Sequence, residues 1–150
     1  MLSEVGISEG QTVLDFGCGS GTFSIPAAEL VGKDGRVYSL DVSQGALEKL
    51  SRRAKKEGLN NITTLISSGD VEIPISNDML NNVLLIDVLQ EISDKNTLFN
   101  EIYRILRPYG LMTVYPMHVD ADEVIRIASD MKFRLKGRIY KEQILVFEKS

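Results

Sequence analysis

Apolar residues along this chain fall into short blocks, and the spacing inside the blocks switches between two periods. Val13–Phe16, Val37–Asp41, Ile62–Ile66, Val83–Asp87 and Leu111–Tyr115 are compact runs of strand length. The fourth is continuously apolar up to its terminal Asp87, as a strand buried on both faces of a parallel sheet should be. Between the runs, apolar positions recur at helical spacing. Ala46, Leu47, Leu50 and Ala54 share one face of a helix expected from the cap residue Ser43 to about Glu57, with Gly58 just past its end. Arg52, Arg53, Lys55 and Lys56 then fall on its solvated side. Leu98, Phe99, Ile102, Ile105 and Leu106 make a second stripe over Lys95–Leu106, capped by Asp94. Shorter helices are expected over Thr22–Leu30, with Pro26 near the first turn, and over Asp120–Met131, where Asp120 and Glu123 have capping-box spacing. Residues 1–6 leave room for a helical stub. The chain closes with two strand-like segments, Phe133–Ile139 and Gln143–Glu148. Lys132, Arg134, Lys136 and Arg138 alternate there and are expected on one face, as edge protection or, in the alternative, as a surface for an acidic partner.

Strands alternating with helices imply right-handed crossovers and an α/β, doubly wound sheet, with a ligand crevice at the C-terminal strand ends where the strand order reverses. The ends of the runs show what stands there. Strand one runs into Gly17-Cys18-Gly19-Ser20-Gly21. Such a turn lets the backbone take positive φ and approach a ligand, and the following helix N-terminus adds free N–H donors. A purely structural glycine turn is the alternative. Strand two ends in Asp41, some 20 residues after Gly21, the distance at which a second strand presents an acid to a ribose. Asp41 could instead help Ser43 cap the next helix. Ser68-Gly69-Asp70-Val71 after strand three reads by itself as a turn.

The chain has 150 residues, which suits one domain over 1–150, and its 43% hydrophobic and 25% charged content is that of an ordinary soluble domain. A net charge of −4 argues against a dedicated nucleic-acid binder. Cys18 is the only cysteine, so no internal disulfide forms and a reducing, cytoplasmic location is expected. With His118 the only histidine, no zinc-type ligand set exists and no metal is expected. The start of the chain lacks a signal-peptide pattern, and no apolar run approaches the ~20 residues of a membrane helix.

Asp15-x-Gly17-x-Gly19-x-Gly21, with Asp41 ending the second strand, resembles the class I S-adenosylmethionine-dependent methyltransferases. The similarity is greatest to the small-molecule branch that includes the ubiquinone and menaquinone biosynthesis methyltransferases. It runs from Val13 to Tyr115 and more weakly to the end. A nicotinamide fingerprint would need glycine or alanine where Thr22 stands, which disfavours a nucleotide-dependent oxidoreductase. The resemblance implies a Rossmann-like methyltransferase fold of seven strands, mostly parallel, in the order 3-2-1-4-5-7-6 with strand seven antiparallel. It implies S-adenosyl-L-methionine as cofactor and S-adenosyl-L-homocysteine as product. Cofactor contacts would come from Asp15, Phe16, Gly17, Cys18, Gly19, Ser20 and Gly21, from Asp41 at the ribose with Val42 beside it, and from Gly69, Asp70 and Val71 at the adenine. Asp87 and Val88 would stand at the methionine end. Gln90 occupies a place where the family often carries a histidine, and Arg107-Pro108-Tyr109-Gly110 resembles the family's Leu-Arg-Pro-Gly-Gly turn with Tyr109 replacing the first glycine. The Asn-Pro-Pro-Tyr signature of adenine-N6 and glutamine methyltransferases is missing, and covalent cytosine-C5 chemistry would need a second cysteine.

Methyl transfer from a sulfonium is an in-line displacement on an activated carbon, so the protein chiefly supplies proximity and alignment. A general base is needed only when the acceptor must lose a proton. Glu91, His118 and Tyr115 are the candidates, each with a plainer reading as surface acid, loop histidine or core tyrosine. The expected function is therefore methyl transfer to a small-molecule acceptor. Most of the family's N-terminal lid is missing, and the connection after strand five is short. These departures motivate an alternative: a cofactor-binding subunit, or a non-catalytic cofactor-binding protein, that needs a partner chain. They also raise a homodimer as the cover for an open substrate side.

Overall fold

The computed structural model describes residues 1–150 and places every strand in one seven-stranded sheet, ordered β3-β2-β1-β4-β5-β7-β6. The strands are β1 (Thr12–Phe16), β2 (Arg36–Asp41), β3 (Ile62–Ile66), β4 (Leu80–Ile86), β5 (Leu106–Tyr115), β6 (Phe133–Ile139) and β7 (Ile144–Lys149). The first five pair in parallel, and β7 runs antiparallel to both β5 and β6. The helices are α1 (Ser24–Val31), α2 (Gln44–Lys56), α3 (Lys95–Ile105) and α4 (Ala121–Asp130). This is the expected doubly wound α/β architecture.

The two-residue period of the strands divides the core between the sheet's faces. Leu14, Val83 and Leu85 pack with Phe99, Ile102 and Ile105 of α3, whereas Val13, Val37 and Leu84 pack with Ala27, Ala28 and Val31 of α1. Because β1 is central, its C-terminal end is the place where crossovers to either side diverge. Residues 1–6 form turns rather than a helical stub. Leu2 and Val5 are buried there, as is Ile7 just after them, and Asn82 Nδ2 donates to the Val5 carbonyl at 3.1 Å.

Several boundaries differ from expectation for local reasons. α1 begins at Ser24 because residues up to Phe23 are consumed by the glycine turn. β4 extends back to Leu80 and stops at Ile86, leaving Asp87 in left-handed backbone with φ +55°. β5 already starts at Leu106, which pairs with Leu80, and residues 107–110 bulge out before pairing resumes at Leu111. The helix-four cap forms through the Asp122 N–H, which donates to Asp120 Oδ1 at 3.1 Å. The basic stripe does not share one face. Lys132 lies outside β6, and a register shift between Leu135 and Gly137 inserts a residue into the ladder. That bulge reverses the alternation, so Arg134 sits opposite Glu148 while Arg138 sits opposite Leu145, on the other face. Arg134 Nη2 and Lys136 Nζ meet Glu148 at 2.6 and 3.6 Å.

Candidate functional site

β1 passes directly into the turn, and Gly17, Gly19 and Gly21 take φ values of +75°, +56° and +98°. A side chain would be strained at all three. The Gly17 and Cys18 N–H groups both donate to the Leu40 carbonyl, at 2.8 and 3.0 Å, which stitches the turn to the end of β2. A Cβ on Gly17 would stand 2.7 Å from Val88 Cγ2, so only a bare backbone fits against the chain leaving β4.

Asp41 performs two jobs. Its Oδ2 accepts the Gly19 N–H at 2.8 Å, and its Oδ1 accepts the Ser43 N–H at 2.9 Å. Ser43 Oγ in turn accepts the Ala46 N–H at 3.1 Å, so the capping role belongs to the serine and the acid braces it. Arg53, expected in solvent, instead donates from Nη1 to the Ser20 carbonyl at 2.8 Å and holds the turn from behind.

Asp15 lies beneath the turn and is 2% exposed. It accepts from Ser24 Oγ at 2.7 Å, and Ser24 Oγ lies 2.7 Å from Ser39 Oγ. Burial pushes the Asp15 carboxyl up to about 6; the Ser24 hydrogen bond opposes that rise and the nearby Asp41 charge adds to it. The Cys18 thiol is pushed up to about 12, by burial first and then by the charges of Asp15 and Asp41. It is accordingly an inert, buried thiol at neutral pH.

A cleft of about 230 Å³ opens at the strand ends, lined by Phe16, Gly17, Leu40, Asp41, Val42, Ser67, Gly69, Asp70, Val88, Glu91 and Ile92. It gathers seven of the residues singled out from the sequence as cofactor contacts: Phe16, Gly17, Asp41, Val42, Gly69, Asp70 and Val88. Cys18, Gly19, Ser20 and Gly21 form the turn beside it, and Asp15 lies below. Val71 packs against the core rather than lining the cleft. Asp87 stands outside its walls, where it accepts from Gln90 Nε2 at 2.8 Å and faces His118 Nε2 at 3.7 Å. The three candidate bases do not converge. Glu91 lines the cleft, His118 pairs with Asp87, and the Tyr115 hydroxyl donates to Gln143 Oε1 at 3.2 Å. Tyr115 lines a separate cleft with Pro116, Met117, Glu142 and Gln143. No group of three or more His, Cys, Asp or Glu side chains is placed to share a metal ion, and no helix is long and apolar enough to cross a membrane.

The seven-stranded order with its antiparallel β7, and a glycine turn facing two strand-end acids, define a Rossmann-like protein of methyltransferase type. Comparison with known proteins agrees: the methyltransferase domain profile matches residues 7–145, and the chain belongs to that family. Demethylmenaquinone methyltransferase of Geobacillus stearothermophilus is 29% identical over 111 residues, covering 74% of this chain and 47% of that protein. Sterol 24-C-methyltransferase of Aspergillus fumigatus is 31% identical over 116 residues, covering 77% of this chain and 30% of that protein. The chain thus spans about half the length of the first of these relatives, 47%, and less of the second. Among solved structures, a SAM-dependent methyltransferase from Aquifex aeolicus superposes with a TM-score of 0.86 at 24% identity, over 99% of this chain and 87% of that one.

Proposed function

We propose that this chain is an S-adenosyl-L-methionine-dependent methyltransferase that moves a methyl group to a small-molecule acceptor and releases S-adenosyl-L-homocysteine. The observation that carries the reading is the convergence, in one cleft, of a bare glycine backbone, the three carboxylates of Asp41, Asp70 and Glu91, and apolar walls. The residues fit the cofactor part by part. Asp41 suits ribose hydroxyls, Asp70 suits an exocyclic amino donor, and Val42, Val88 and Ile92 supply apolar surface for a flat ring. Asp15 is buried beneath the turn rather than lining the cleft, and a cationic group bound above the turn would relieve its charge. The bound cofactor supplies a methyl group already activated on sulfur. The chain's part is to hold donor and acceptor in line and exclude alternatives.

Of the three candidate bases only Glu91 lines the cleft, so it is the one we assign to take a proton from an acceptor that carries one, whereas His118 stands outside with its Nε2 3.7 Å from Asp87 Oδ1. The relatives' names refer to demethylmenaquinone and to a sterol, so apolar acceptors are the first to try. Met117, 52% exposed beside Tyr115 and Pro116, gives such an acceptor apolar surface. A second copy or a partner chain would cover that side, and the buried, reduced Cys18 suits the cytoplasm. The test is to incubate the protein with S-adenosyl-L-methionine and a panel of quinol, phenol and sterol acceptors, reading S-adenosyl-L-homocysteine by mass spectrometry. Acceptor-dependent release supports the enzyme. Tight cofactor binding with release only after a second protein is added would favour the subunit reading.

A further inference from the structure

Outside the cleft, Arg104 on α3 uses all five of its guanidinium N–H donors. Nε donates to Glu101 Oε1 at 2.7 Å, Nη2 to Glu101 Oε2 at 2.8 Å and to the Ile73 carbonyl at 2.9 Å, and Nη1 to the Ile75 carbonyl and Asn77 Oδ1, both at 2.8 Å. Glu101 Oε2 also accepts the Ile73 N–H at 2.6 Å. The hydrogen bond from Arg104 holds the Glu101 carboxyl below the ordinary carboxylate range. A fork–fork pair between neighbouring helix turns thus reaches off its helix and grips the backbone of another segment.

That segment, residues 67–79, joins β3 to β4 without regular secondary structure. Ordering an irregular stretch of this length against its conformational entropy needs specific anchors. At its start the Ser67 N–H donates to the Asp41 carbonyl at 2.9 Å. At its end Ile73 and Ile75, 1% and 7% exposed, are gripped by Arg104 and Glu101. Between these two anchors lies Asp70, whose carboxylate is exposed in the cleft and touched only by Ser68 Oγ at 3.3 Å. The side chain facing the ligand is therefore held through its backbone.

We infer that Arg104 is a positioning residue for base recognition: by gripping Ile73, Ile75 and Asn77 it fixes Asp70 and so sets the cleft's preference for adenine over a base lacking the amino group. The inference rests on the reading of Asp70 as the adenine acceptor given above. Lysine at 104 would keep the charge but present three donors from one point, which cannot span five acceptors.

The test is calorimetric titration of the wild type, Arg104→Lys and Glu101→Gln with S-adenosyl-L-homocysteine and with S-inosyl-L-homocysteine, which carries a carbonyl in place of the adenine amino group. A hydrogen bond to a charged acceptor leads us to expect roughly a tenfold or greater preference for the adenine ligand in the wild type. Both variants should reduce that preference to below about threefold. General loss of stability lowers the folded fraction equally for both ligands, so the ratio is insensitive to a merely structural role. Variants that keep the wild-type ratio overturn the inference. A wild type that binds both ligands equally removes the Asp70 reading itself, and the inference with it. Should either variant fail to fold, hydrogen exchange on the unaltered protein decides. An Ile73 amide, the donor to Glu101, that is as protected as those of α3 supports the clamp, and exchange as fast as at the exposed residues 68–70 refutes it.

Discussion

Asp15→Asn keeps the shape of a side chain that is 2% exposed and removes its charge. The neighbouring hydroxyls tolerate the change, since Ser24 Oγ can accept from the amide while Ser39 Oγ, 2.7 Å away, reorients. In the wild type, burial raises this carboxyl from 3.8 to about 6. The folded chain therefore retains a proton that the unfolded chain has already released across that interval. Stability falls with rising pH wherever the folded state binds more protons, so the loss begins near the unfolded value and is complete above the folded one. The gap between the two values corresponds to about 3 kcal/mol. Asp15→Asn lacks this term. Measured by urea unfolding from pH 4 to 8, the stability of Asp15→Asn relative to wild type should rise by about 2.5 kcal/mol between pH 4 and pH 7, the first part of the effect already having occurred below pH 4, and then level off. In thermal unfolding the same gain is a rise in Tm of roughly 5–10 °C. Glu101 and Glu148 titrate in both proteins and cancel in the difference. Curves that stay parallel within about 0.5 kcal/mol would show that the buried carboxylate is not destabilising, and the account of this acid would be wrong.

Further perturbations separate the site from the scaffold. Asp41→Ala frees the Gly19 and Ser43 N–H groups and removes the proposed ribose partner, so affinity for S-adenosyl-L-homocysteine should fall about 100-fold or more by calorimetry. Unchanged affinity would contradict that role. Gly17→Ala combines a left-handed φ of +75° with a 2.7 Å approach to Val88, an expected loss of about 2–4 kcal/mol in denaturant unfolding together with cofactor binding. Lys149→Met serves as the contrast. Its Nζ donates to Asp78 Oδ1 and to the Tyr103 and Leu106 carbonyls and lies 4.4 Å from the Tyr103 ring centroid. Its loss should destabilise the chain by about 1–3 kcal/mol in thermal unfolding and leave cofactor affinity within twofold.

The parts of this molecule that could be read in advance are those where one residue type answers one local requirement. Gly17, Gly19 and Gly21 stand at positive φ, Asp41 ends β2, and the apolar runs become the buried strands. What escaped depends on reach or on pairing. Arg53 lies on the polar face of α2, and helical spacing cannot reveal that its long side chain bends back to Ser20. Arg104 likewise looks like an ordinary charged helix position until the 67–79 segment is seen beneath it. The alternation of basic residues in β6 predicted one face, but a single inserted residue reverses it, and Gly137 was the only local hint. The early start of β5 follows from Leu106 meeting Leu80, a tertiary pairing with no signature in the segment itself. Asp15 was legible as an acid ahead of the glycine turn; the depth of its burial was not, because that is set by α1 and β2 closing over it.

The central claim is that the cleft at the ends of β1, β2 and β4 binds S-adenosyl-L-methionine. Calorimetric titration of the wild-type protein with S-adenosyl-L-methionine and S-adenosyl-L-homocysteine, beside Asp41→Ala, tests it most directly. The account predicts saturable binding of both ligands at one site per chain, weakened about 100-fold or more by the substitution. A folded wild type that binds neither ligand, or binds them equally well after Asp41→Ala, would contradict it.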